Sequence, residues 1–291
     1  MRMLIFCLFL LYTLNVSAQR TDLRLQRQIE NLVKNFNGDI GVYVHDLKHN
    51  KIVDVNADTV FPTASIVKIP ILLGIMHKIE TGELKYHQQL IYTDSLFYSN
   101  EGDDILSSIK NGTTIELSKV LMLMLTISDN CASLWLQGLA GGGVAINQIL
   151  DSAGIKDTRV NSRTPGRELN RTKYGWGQTT PREISNIMER IVKGEMLSKE
   201  SDAKMLRLLG RQYWDEEALS EIPPGVFAAD KNGAVDASRD EVVYVNGKHP
   251  YIFSIFTKNN KDKSWETNNE AWVLTRKLSA LLWNYYNPNS Q

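Results

Sequence analysis

The strongest constraint on this chain is a change of hydrophobic period along its length. Residues 38–56 (GDIGVYVHDLKHNKIVDVN) alternate in twos on both sides of Lys48-His49-Asn50, the pattern of a β-hairpin. Strand patterns return only near the end, in GVFAADKNG, DEVVYVNG and YIFSIFTK. Between them, from about Ser65 to Leu209, apolar residues recur at helical spacing. The helical segments there include IVKIPILLGIMHKIETG, TIELSKVLMLMLTIS, NCASLWLQGLA, VAINQILDSAG and PREISNIMERIVKG. Helical patterns also stand at both ends, over 22–35 and in NNEAWVLTRKLSALLWNYY.

Strands far apart in sequence must pair to bury their faces. The expected fold is therefore α+β: one antiparallel sheet built from both ends and covered on one face by the terminal helices. An inserted helical lobe follows, with a cleft between. The sheet lobe is expected over about 19–60 and 210–291 and the helical lobe over about 61–209, together one catalytic domain spanning 19–291.

The first residues, MRMLIFCLFLLYTLNVSAQ, have a positive start, a short apolar run and small residues at Val16 and Ala18. They read as a signal peptide over 1–18, cleaved after Ala18, giving a secreted or periplasmic chain that starts at Gln19. The apolar run falls short of the ~20 residues of a membrane span, so no stable anchor is expected. Cysteine supplies no disulfide framework. Cys7 leaves with the signal, and Cys131 lies in an apolar helical stretch that suits a buried structural residue. The 33 basic and 33 acidic residues balance, which gives no field favouring nucleic acid. His45, His49, His77, His87 and His249 show no metal-ligand spacing, so no metal or other cofactor is expected.

Three short motifs carry chemistry. Ser65-Ile66-Val67-Lys68 opens an apolar helix, and a spacing of three puts Lys68 on the face of Ser65. A serine hydroxyl becomes a nucleophile when a base takes its proton, and a lysine desolvated beside another cation can be that base. Ser128-Asp129-Asn130 lies between two helical runs, where capping is the plain alternative. Lys231-Asn232-Gly233 continues the strand Val226–Ala229, where a cation can hold a carboxylate and glycine permits close backbone approach. Singly these motifs are uninformative. Ser107–Lys110 and Ser201–Lys204 repeat the first spacing, and Lys110-Asn111-Gly112 repeats the third.

In combination and in this order, S-x-x-K, S-D-N and K-x-G resemble the signature of the class A β-lactamases. The resemblance extends to Ile222–Lys231, to Thr180-Pro181 and to Glu168-Leu169-Asn170. It implies that Ser65 is acylated by a β-lactam or a peptidoglycan-like amide, with Lys68 as activator. Ser128 then delivers a proton to the leaving nitrogen. Asn130, Lys231, Asn232 and Gly233 hold substrate, Asn170 flanks it, and Ala234 shares an oxyanion hole with Ser65. Arg239 is expected near the substrate carboxylate, one residue out of the usual place, and Tyr98 as a wall of the cleft. A monomer is expected.

Two departures from the family pattern matter. Asn232 stands where the family has a hydroxyl residue. Four residues before Asn170, where the family keeps the glutamate that activates the hydrolytic water, stands Gly166. The loop 158–170 also runs about two residues longer than usual, and Glu168 is the one carboxylate there that could substitute. The first reading is a serine β-lactamase acting through an acyl-serine, its deacylation slowed if no base replaces the glutamate. Two others compete with it: a penicillin-binding or amide/ester-hydrolysing relative that is not an efficient β-lactamase, and a non-enzymatic binding module that keeps only the cleft.

Overall fold

The computed structural model describes residues 19–98 and 104–288. The expected signal peptide, 1–18, lies outside the described residues. The chain opens with a short strand β1 (Arg20–Thr21) and helix α1 (Leu23–Val33), then the hairpin β2 (Asp39–Asp46) and β3 (Lys51–Val55). After β4 (Phe61–Pro62) and a single 3₁₀ turn (Ala64–Val67) comes α2 (Lys68–Glu80). The ribbon β5 (Gln89–Ile91) and β6 (Thr114–Glu116) precedes α3 (Leu117–Thr126), α4 (Asn130–Leu139) and α5 (Gly142–Ser152). Next are β7 (Arg159–Val160), α6 (Glu168–Tyr174), β8 (Gly177–Thr179), α7 (Pro181–Lys193) and α8 (Lys199–Leu209). The chain closes with β9 (Phe227–Val235), β10 (Ser238–Asn246), β11 (Tyr251–Lys258) and α9 (Glu270–Tyr286).

Both ends of the sequence meet in one six-stranded sheet, ordered β1-β3-β2-β11-β10-β9. All its pairs are antiparallel except β1 with β3. This is the expected α+β arrangement. The central strands are buried on both faces, which is why their sequences read as apolar runs rather than strict alternation. On one face Val42, Val44, Val243, Phe253 and Ile255 pack with Leu25 and Ile29 of α1 and Leu274, Leu278 and Leu282 of α9. On the other, Val242, Ile252 and Phe256 pack with Ile184, Ile187, Met188 and Ile191 of α7. α7 begins as its sequence prescribes: Thr180 caps it by accepting from the Glu183 N–H, and Pro181 occupies the first turn, where its missing N–H costs nothing.

α2 is the hub of the helical part, and every residue from Lys68 to Met76 is buried. It packs on α3, α4, α5 and α8. The other two S-x-x-K segments are ordinary structure. Ser201 sits in the first turn of α8 and Lys204 pairs at the surface with Glu200, 3.7 Å away, while Ser107 lies 3.3 Å from the buried Cys131 sulfur.

Candidate active site

Three separate elements bring the serine chemistry together. Ser65 sits in the 3₁₀ turn, and Lys68 begins α2 one turn later. Ser128 lies in the gap between α3 and α4, at φ +65°. Ala64, beside the nucleophile candidate, has φ +41°. Both are left-handed conformations that non-glycine residues avoid, and the surrounding hydrogen bonds hold them there. Asp129 caps α4 by accepting from Ala132 N–H at 2.7 Å and also accepts from Leu106 N–H. Asn130 N–H donates to Asp104 at 2.6 Å.

Lys68 Nζ is the meeting point. It lies 2.9 Å from Ser65 Oγ, 2.8 Å from Ser128 Oγ and 3.0 Å from Asn130 Oδ1, and also contacts the Ser128 carbonyl oxygen. These four oxygens exceed the three donors of an ammonium and the two of a neutral amine. In the neutral form a serine hydroxyl can therefore donate to the nitrogen. The side chain is fully buried, and burial, joined by the nearby charge of Lys231, drives its pKa well below that of a free lysine; Asp104 and Asp129 oppose this. The arrangement can move a proton from either hydroxyl to the amine and on to the other.

Across the cleft, β9 supplies the second lysine. Lys231 is buried, and its Nζ donates to the Asn232 carbonyl at 3.0 Å and to Asn232 Oδ1 at 2.8 Å. Desolvation lowers its pKa to about 8, against the pull of Asp230 and Glu241. Gly233 brings the strand against the nucleophile turn. A Cβ there would lie 2.6 Å from the Thr63 carbonyl oxygen and 3.0 Å from Ser65 N, so only glycine fits. The space in front is a cavity of about 480 Å³ lined by Ser65, Ser128, Asn130, Asn232, Gly233 and Ala234 on one side. Asp104, Trp214, Glu216, Glu217, Trp265 and Trp272 line other parts of it.

The sequence model of the β-lactamase enzyme family matches residues 24–286. The chain belongs to this family. Its curated relatives include the β-lactamase VEB-1 of Pseudomonas aeruginosa, 26% identical over 98% of this chain and 97% of that one. The extended-spectrum β-lactamase PER-1 of the same organism is 23% identical over 88% and 89%. Among solved structures, a point variant of PBP-A, captured as an acyl-enzyme complex with penicillin G, superposes with a TM-score of 0.80. It is 25% identical over 92% of this chain and 98% of that one. A class A β-lactamase from Mycobacterium abscessus superposes with a TM-score of 0.78 at 20% identity, over 90% and 98%. Class A membership and serine β-lactamase activity follow from the family.

Several expected residues of this β-lactamase, Arg239, Tyr98, Glu168, Asn170 and Lys231, are not among those lining the cavity. Arg239 is buried behind the cavity wall. Its guanidinium donates to the carbonyls of Asp236, Ser238 and Ser264 and lies 4.4 Å and 4.9 Å from the ring centres of Trp265 and Trp272. So engaged, it braces the two indoles. Tyr98 packs edge-on against Trp176, with ring centres 5.2 Å apart, and is not among the residues lining the cavity. Glu168 is exposed on the first turn of α6 and accepts the Gly166 N–H at 3.0 Å; it too is absent from the cavity wall. Asn170 lies beside Glu168 in the same helix and donates to Gln178 at 2.9 Å.

The acidic and aromatic part of the wall had no sequence signal. Trp214, Glu216 and Glu217 sit in a loop without periodicity, and Trp265 and Trp272 come from the far end of the chain. Glu217 pairs with Arg276 at 2.6 Å. No helix among the described residues is long and apolar enough to cross a membrane.

Proposed function

We propose that this β-lactamase opens the lactam ring through an ester on Ser65 and releases the product slowly. The observation that carries the reading is Lys68 Nζ within hydrogen-bond reach of both Ser65 Oγ and Ser128 Oγ while fully buried. Neutral Lys68 takes the Ser65 proton as Oγ attacks the lactam carbonyl carbon. The carbon–nitrogen bond then breaks, and the proton passes through Ser128 to the departing nitrogen. Asn130 steadies Lys68, and Lys231 holds positive charge toward the substrate carboxylate. The backbone N–H groups of Ser65 and Ala234 receive the oxyanion.

Deacylation lacks the carboxylate that the family keeps in this loop. Gly166 carries no side chain, and Glu168 is exposed and bonded to the Gly166 N–H. A positioned general base contributes ~10²–10⁴-fold, so its absence makes ester hydrolysis the slow step. Residues 19–291 act as one catalytic domain, exported after cleavage near Ala18 and working as a monomer.

Rapid mixing with a chromogenic cephalosporin tests the reading. It should give a burst of about one product per enzyme, followed by a slow steady rate. Glu168→Gln should leave both phases unchanged. A burst-free, fast reaction, or a steady rate that falls in Glu168→Gln, contradicts the assignment.

A further inference from the structure

We propose a zinc-class metal site at the end of the sheet remote from the serine, formed by His49 Nδ1, His249 Nε2 and the Asp46 carboxylate. Asp46 ends β2, His49 lies in the turn that follows, and His249 lies in the turn between β10 and β11. Two hundred residues separate the histidines, and pairing of β2 with β11 brings their turns together, with Leu47 N–H donating to the Pro250 carbonyl at 3.1 Å. The three side chains then converge. His49 Nδ1 is 2.9 Å from His249 Nε2 and 3.0 Å from Asp46 Oδ2, and His249 Nε2 is 3.5 Å from Asp46 Oδ1.

Two of these separations are a few tenths of an ångström shorter than those of ligand atoms around one ion and the third slightly longer, so a small opening of the cluster would admit an ion. Zinc–nitrogen and zinc–oxygen bonds of roughly 2.0–2.2 Å at tetrahedral angles put neighbouring ligand atoms about 3.3 Å apart. Two imidazoles and a carboxylate form a set that suits zinc and its neighbours rather than calcium or magnesium.

The ligands are also held in place. Asp46 Oδ1 accepts the backbone N–H groups of Lys48 and His49 at 2.9 and 3.1 Å, which fixes the turn. In the same turn Asn50 Oδ1 lies 2.9 Å from Nε2 of buried His45. His249 N–H donates to Asn287 at 3.3 Å, and its ring lies 5.7 Å from that of Tyr286. The His49 side chain is about half exposed at 49%, so the fourth ligand position opens to water. A bound ion would tie together the β2–β3 turn, the β10–β11 turn and the end of α9. The role is structural, since Ser65 lies at the opposite end of the sheet, beside Gly233 and its partner Asp240. The proposal does not depend on the acyl-serine reading.

The test uses the full mature chain, stripped with a chelator and titrated with Zn²⁺ by calorimetry. Visible absorption is followed with Co²⁺, and thermal unfolding with and without Zn²⁺. Wild type should take up one Zn²⁺ per chain, show Co²⁺ ligand-field bands and unfold at a higher temperature with zinc. His49→Ala and His249→Ala should each lose the bands and the thermal shift, while benzylpenicillin still labels Ser65. His49 is exposed enough that its alanine variant is expected to fold, and circular dichroism checks this. Absence of saturable binding at micromolar Zn²⁺ would mean that the three side chains form a hydrogen-bonded cluster only, and would overturn the proposal. So would binding that survives in either histidine variant.

Discussion

Lys231 carries a pH signature that follows from its burial. Its folded pKa of about 8 lies below the 10.5 of a free lysine because desolvation outweighs the attraction of Asp230 and Glu241. Above pH 8 the folded protein loses the cation proposed to draw the substrate carboxylate, so kcat/KM for acylation should fall along an alkaline limb centred near pH 8. Stability moves the other way. Between about 8 and 10.5 the unfolded chain binds the proton more tightly, so the contribution of this residue to stability rises with pH. The loss of rate is therefore not unfolding, and a melting curve at each pH separates the two. Lys231→Arg should displace the limb upward, because a guanidinium stays charged throughout this range. A limb that stays near pH 8 in that variant would assign it to another group. Arg239 shows the opposite lesson at the same scale: an arginine close to the expected place in sequence is spent on carbonyls and indoles.

The loop from 158 to 170, proposed to limit turnover, is tied to its neighbours at several points. Glu183 of α7 accepts from the backbone of Lys156, Asp157 and Thr158. Asn147 pairs with both backbone groups of Val160, Gln137 pairs with Ser162, and Arg167 donates to Asn161. Gly166 sits in this frame at φ +78°, exposed, with open space where a Cβ would point. A side chain at position 166 would have to adopt this left-handed backbone conformation, so a substitution there is strained although the space is open. Gly166→Glu should strain the loop without restoring the ~10²–10⁴-fold that a positioned base supplies. A steady-state rate that rises by that factor would show that the loop can present a base after all. Gly143 of α5 supports the same loop by leaving room for Thr164, whose Oγ1 would lie 1.8 Å from an added Cβ. Gly143→Ala should cost about 1–3 kcal/mol of stability in guanidinium unfolding. A neutral result would mean that Thr164 is free to move aside. The order of elements, the three motifs and the start of α7 were legible in the sequence because period, capping and spacing are local. The direction in which Glu168, Arg239 and Tyr98 point was not, because each is set by partners brought in by tertiary packing.

For the molecule as a whole, the two ends of the chain build the sheet, and the middle builds the helical part that carries Lys68 and Ser128. The cleft exists only where β9 meets the turn at Ser65, with Gly233 as the point of contact. The residues that make it were readable as motifs. The acidic and aromatic remainder, including Trp214, Glu216 and Trp265, was not, because it is assembled from loops without periodicity. The proposed serine chemistry at this junction uses no ion, so activity should be indifferent to metal bound at the proposed site at the far end of the sheet. The ester on Ser65 should form quickly and leave slowly, and time-resolved mass spectrometry of the intact protein after mixing with benzylpenicillin follows both steps. An adduct of the full penicillin mass should accumulate to about one per chain, map to the Ser65 peptide and be absent from Ser65→Ala. Penicillin consumed with no adduct at any time, or an adduct that persists in Ser65→Ala, would contradict it.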